Sequence, residues 1–62
     1  MTELIQALES LPQDYREIIL LRDFEELTIG EIAQQLSLTT AACKSRLHRA
    51  RLLAREYLLD SK

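Results

Sequence analysis

The sequence predicts one small all-α domain, and three observations lead to that prediction. The chain has 62 residues, which is enough for one hydrophobic core and no more. Its composition favours helices, with thirteen leucines and only one Gly and one Pro. Apolar residues recur at steps of three and four, which is the period of a helix packed on one side. We therefore expect four helices and no strands.

The first two helices are predicted on either side of Pro12. The first spans about residues 2–9, with its apolar residues on one side. Pro12 suits the first turn of the second helix, about residues 12–26, because the N–H that proline lacks has no intrahelical partner there. Apolar residues cover nearly the whole circumference of this helix, whereas a surface helix shows one stripe. They are either covered by the other helices or left in part as a docking site.

The third and fourth helices are marked by capping residues. Thr28 and Glu31 have the spacing of a capping box, which predicts a helix over residues 28–36. After a short break, Thr39 or Thr40 is suited to cap a fourth helix over residues 39–59. One buried stripe is expected along it, formed by Cys43, Leu47, Ala50, Ala54, Tyr57 and Leu58.

Charge is divided unevenly along the chain. Residues 1–36 hold two cationic side chains against eight acidic ones, a net charge of −6, whereas residues 37–62 hold six against two, a net charge of +4. This asymmetry indicates a polyanionic partner for the second part and a different partner for the first.

Several functional classes are excluded by what the sequence lacks. It has no apolar run of bilayer length and no signal-peptide pattern, so we expect a cytoplasmic protein. A single cysteine, Cys43, and a single histidine, His48, cannot form an internal disulfide or a closed zinc site. No nucleophile-base pair, paired carboxylates or phosphate-cradling loop is visible. We expect neither an enzyme nor a cofactor.

The fourth helix carries the positive charge on the face opposite its apolar stripe. A charged helix face is often merely solvated. Here the face follows a capped helix and a short turn, which is the arrangement of a helix-turn-helix whose second helix enters the major groove. Its outward side chains are suited to reading base edges, and we assign that role to Lys44, Ser45, His48 and Arg49. Phosphate contacts are expected from Thr39, Thr40, Arg46 and Arg51.

Residues 11–58 resemble region 4 of bacterial RNA polymerase sigma factors of the extracytoplasmic-function (ECF) type. The resemblance is carried by Leu11-Pro12, Arg16, Leu27-Thr28, Glu31-Ile32-Ala33 and the run from Lys44 to Arg51. One departure is Ser37, which stands where the family's turn usually has Gly. A left-handed backbone at this residue would cost about 1 kcal/mol.

The resemblance implies a function and partners. The last helix would recognise the minus-35 promoter element, through the four base-reading residues assigned above. An apolar surface would bind the flap-tip helix of the polymerase β subunit or an anti-sigma factor, and the residues expected to form it are Tyr15, Ile18, Ile19, Leu20 and Phe24. Nothing in the sequence resembles the sigma domain that binds the minus-10 element. We therefore expect residues 1–62 to be a single domain excised from a longer factor.

Two alternatives remain open from the sequence. A LuxR-type DNA-binding domain of a transcription regulator shares the four-helix plan and a similar last helix. A protein-interaction module without DNA binding would use the acidic first part and the apolar second helix, with the basic face left to solvent.

Overall fold

The computed structural model describes residues 2–60, apart from the side chains of Thr2, Leu4 and Asp60. In chain order, helix α1 is Thr2–Ser10, α2 is Gln13–Ile19, a π-helical segment is Leu20–Phe24, α3 is Ile29–Leu36 and α4 is Thr40–Asp60. The described residues contain no strand. The predicted all-α fold with four helices is confirmed.

The core lies on one side of α4, where α1, α2 and α3 all pack. Burial of apolar surface between these helices is the main stabilising contribution in so small a domain. The buried cluster consists of Leu8, Leu11, Ile18, Ile19, Leu21, Ile32, Ala33, Cys43, Leu47 and Ala50. Ala54 and Leu58 of the predicted α4 stripe are half-buried, and Tyr57 is 37% exposed. The C-terminal part of α4 is thus only partly covered.

The second helix departs from the continuous α-helix predicted to Glu26. From Leu20 the helix widens to i→i−5 bonding, and the Glu25 N–H donates to the Leu20 carbonyl at 3.0 Å. Glu26 then adopts a left-handed backbone with φ 59°, which ends the helix. The side chain of Arg22 binds the loop that follows, since its Nη1 donates to the Leu27 carbonyl at 3.0 Å. The wider turns change which side chains face the core, so hydrophobic periodicity alone does not reveal them.

The capping box predicted at the start of α3 is confirmed. Thr28 Oγ1 accepts a hydrogen bond from the Glu31 N–H at 3.1 Å, and Glu31 Oε1 accepts one from the Thr28 N–H at 2.9 Å. The backbone N–H of Thr28, and then its side chain, lower the pKa of the Glu31 carboxyl, because hydrogen bonds favour its charged form. These bonds fix where α3 begins.

A three-residue turn, 37–39, separates α3 from α4. Ser37 has a left-handed backbone with φ 58° and ψ 43°. Its N–H donates to the Gln34 carbonyl at 3.3 Å, and the Leu38 N–H donates to the Ala33 carbonyl at 2.8 Å, which is a Schellman motif. The hydroxyl of Thr39 then accepts from the Ala42 N–H at 3.0 Å and caps α4.

Replacement of Ser37 by Gly is expected to stabilise the domain by about 1 kcal/mol, because Gly avoids the steric cost of a side chain in the left-handed region. Denaturant unfolding measures the difference. Ser45→Gly is the matched control: Ser45 lies inside right-handed α4, where Gly is expected to destabilise by about 0.5 kcal/mol. A Ser37→Gly variant no more stable than the parent chain would contradict the argument.

Candidate nucleic-acid interface

The cationic face of α4 is open to solvent. Lys44, Ser45, His48 and Arg49 are all exposed, and Arg46 beside them is half-buried. Lys44, His48 and Arg49 make no hydrogen bond or ion pair with any side chain that the structure describes. Their donors are therefore available to an external acceptor such as a base edge or a phosphate.

The turn and its two helices place this face at the outside of the molecule. Ile32 and Ala33 of α3 and Cys43 and Leu47 of α4 are buried in the same cluster, which fixes α4 against α3 through its apolar side. Successive residues of an α-helix are 100° apart around its axis, so residues between the buried positions point away from the core. The cationic residues of α4 are among them and form its outer surface. Thr39 and Thr40 are exposed at the amino end of α4. This is the arrangement of a recognition helix with its first turn open to a ligand.

A surface groove runs beside this face, between the start of α2 and the first half of α4. Its α4 side is formed by Ala42, Ser45, Arg46 and Arg49, and its α2 side by Pro12, Asp14 and Tyr15. Asp14 is an exposed carboxylate in this groove and makes no ion pair with a side chain that the structure describes. Arg46 and Arg49 likewise make no ion pair with a described side chain on this flank.

Arg51 differs from the other cations of α4, because it already has a partner. Its Nη2 donates to Asp23 Oδ1 at 2.5 Å. Among the described residues, this is the one ion pair. The two side chains are 51% and 42% exposed. Sequence reasoning placed Arg51 on the basic face but missed Asp23, which lies 28 positions away in the π-helical segment. No local pattern links residues so far apart.

Comparison with known proteins identifies the family. Residues 1–53 match the family described as Sigma-70, region 4, which is most of the chain. The chain belongs to this family. Region 4 is a non-enzymatic, DNA-binding helix-turn-helix part of sigma factors, so the match favours the sigma interpretation over the LuxR-type alternative.

Curated relatives agree with this assignment to region 4. RNA polymerase sigma factor SigV of Bacillus subtilis (strain 168) is 46% identical over 54 residues, which are 87% of this chain and 32% of that protein. ECF RNA polymerase sigma factor SigE of Mycolicibacterium smegmatis is 39% identical over 90% of this chain and 22% of its own length. ECF RNA polymerase sigma factor SigW of Bacillus subtilis (strain 168) is 36% identical over 89% and 29% respectively.

The region 4 chain thus spans about a third or less of the length of these relatives. No solved structure gave a significant match. Within residues 2–60 no helix is long and apolar enough to cross a bilayer. The same residues hold no group of three His, Cys, Asp or Glu side chains arranged for a metal ion.

The docking surface predicted for this region 4 domain needs a correction. Ile18 and Ile19 are 0% and 5% exposed, because they face α4 and the rest of the core, so they cannot contact a partner. Leu20 and Phe24 remain available, at 37% and 54% exposure. Tyr15 is half-buried and lines the groove beside α4. The five predicted residues therefore do not form one surface.

A second groove lies beside Leu20, and most of the residues that line it are polar or charged. It is lined by Gln13, Arg16, Glu17, Leu20, Leu21, Glu25 and Gln35. Arg16 is half-buried, and its Nη2 donates to the Leu11 carbonyl at 3.3 Å, while its Nε is buried with no hydrogen-bond partner among the described residues. Two leucines lie among five polar or charged side chains, and because Leu21 is buried, Leu20 is the exposed apolar side chain that this groove offers to an amphipathic peptide segment.

Proposed function

We propose that this domain binds the minus-35 promoter element as region 4 of an ECF sigma factor and thereby directs RNA polymerase to promoters. The observation that carries the proposal is that Lys44, His48 and Arg49 are exposed in the first half of α4, directly after the turn. Their hydrogen-bond donors have no partner among the described side chains. Membership of the Sigma-70 region 4 family supports it. The place of action would be the cytoplasm, where promoter DNA lies.

The spacing of the outward residues suits a major groove. From Lys44 to Arg49 the helix rises about 7.5 Å, which corresponds to roughly two base steps. Lys44 or Arg49 would donate to the O6 and N7 atoms of guanine, Ser45 would donate or accept, and His48 would donate or contact a thymine methyl group. Phosphate contacts would come from Thr39, Thr40, Arg46 and Arg51, which would position α4 without reading sequence.

The partner protein is proposed to be the RNA polymerase core, through the flap of its β subunit, with an anti-sigma factor as a competitor. Leu20 and Phe24 are the exposed apolar residues that support this surface. They lie in the π-helical segment, whereas the base-reading residues lie in α4. Different elements of one domain would then hold DNA and polymerase.

A salt titration of duplex binding tests the proposal. If three to five phosphates are neutralised, log K is expected to fall against log salt with a slope of about −3 to −4.5. A duplex with the minus-35 element, selected from a random library, is compared with a scrambled duplex of the same length. Binding that does not respond to salt would favour the interaction module, whose basic face is only solvated.

A further inference from the structure

We infer that Asp23 is a positioning residue for DNA binding, which holds Arg51 in place to clamp a phosphate beside the groove contacts. This inference rests on the proposed function. It concerns a residue outside the helix-turn-helix that no sequence pattern assigned to DNA. The competing possibility is that Asp23 only neutralises Arg51 and repels the phosphate. Neutralisation predicts that Asp23→Ala strengthens DNA binding at least as much as removal of an unpaired carboxylate does, whereas positioning predicts weaker binding than that.

The contact geometry favours positioning over neutralisation. One hydrogen bond joins the two side chains, from Nη2 of Arg51 to Oδ1 of Asp23. A guanidinium has five N–H donors, and its Nη2 contributes to two separate two-donor edges. One hydrogen bond to Nη2 therefore leaves four donors and one complete edge, which is the arrangement that grips a phosphate through two parallel hydrogen bonds.

Asp23 is itself held by a fixed segment of backbone. Its π-helical segment is closed by the Glu25 N–H bond to the Leu20 carbonyl and by the Leu27 N–H bond to the Leu21 carbonyl, both at 3.0 Å. Leu21 anchors the segment in the core. The carboxylate thus restrains the end of a long side chain that would otherwise sample many rotamers in water.

Position on α4 supports the same role. Arg51 follows Lys44 by seven residues and so lies within about 20° of it around the helix axis. It is about 10 Å further along the axis at the standard rise, which places it at the edge of a groove that Lys44 enters. Half of its side chain remains exposed even in the ion pair. A phosphate can therefore reach it without breaking the contact to Asp23.

The test compares two aspartates that differ in whether they hold an arginine. Asp23→Ala and Asp14→Ala each remove one exposed carboxylate from the neighbourhood of the basic face, but Asp14 makes no ion pair with a described side chain. Net charge alone predicts that both variants bind duplex DNA more tightly than the unmodified domain, whether or not Arg51 is present. Positioning predicts that Asp23→Ala binds about two- to fivefold more weakly than Asp14→Ala, the range that an exposed ion pair provides.

The dependence on Arg51 separates positioning from a structural effect. In an Arg51→Ala background the difference between the two aspartate variants is expected to disappear, and Asp23→Glu with Arg51 intact is expected to recover most of the affinity. Circular dichroism checks that every variant remains helical. Asp23→Ala binding as tightly as Asp14→Ala, or more tightly, would overturn the inference. If the unmodified domain itself shows no salt-dependent binding to duplex DNA, the proposed function fails instead.

Discussion

Ile18→Ala is expected to lower the free energy of unfolding by about 2 to 5 kcal/mol, the usual cost of emptying a buried isoleucine site. Ile18 is 0% exposed and packs in the same cluster as Ile32 and Cys43, so its truncation leaves a cavity in the core. A core in a domain this small rarely supplies more than about 3 to 5 kcal/mol in total. The variant is therefore expected to be largely unfolded, and urea titration followed by circular dichroism measures this.

Ile5→Ala is the matched control, because it deletes the same atoms from a residue that is 50% exposed. Alanine has the higher helix propensity and Ile5 lies inside α1, so the change is expected to stay within about 1 kcal/mol. Comparable losses for the two variants would mean that α2 does not face the core as the structure places it. A loss confined to Ile18→Ala would support the correction of the docking surface.

Local signals in the sequence predicted the local parts of the fold. Thr28 and Glu31 lie three residues apart, and their mutual hydrogen bonds depend on little else. The stripe of α4 is regular because one side of that helix packs on the other three helices. The exposure of Lys44 and Arg49 follows from that stripe, since the two faces of one helix are opposite.

Features that depend on tertiary structure could not be predicted from local sequence signals. Apolar residues surround the second helix, and periodicity cannot tell which of them the other helices cover. Burial of Ile18 and Ile19 and exposure of Phe24 are decided by the packing of α2 and by the widened turns after Leu20. The pair of Arg51 and Asp23 joins residues 28 positions apart, so it depends on how the π-helical segment meets α4.

Arg49→Ala is expected to reduce affinity by about 1 to 3 kcal/mol for duplexes that carry the preferred base pair and to relax the preference at that one position. Arg49 is exposed and unpaired among the described side chains, so its guanidinium is free to donate two hydrogen bonds to one base. Arg51→Ala is the comparison, since a phosphate contact carries no sequence information and its loss weakens all duplexes alike. Binding is measured on the selected duplex and on each of its single-base variants.

The pattern across duplexes, rather than the size of either loss, distinguishes the two roles. Arg49→Ala should lose affinity for the selected duplex and little for a duplex already altered at the position it reads, whereas Arg51→Ala should lose a constant factor and reduce the salt slope by about 0.9. Both residues lie outside the buried cluster, so neither substitution empties a core site, and circular dichroism checks that each variant remains helical. Equal losses on every duplex for both variants would show that Arg49 contacts the DNA backbone, and base reading would then rest with Lys44, Ser45 and His48.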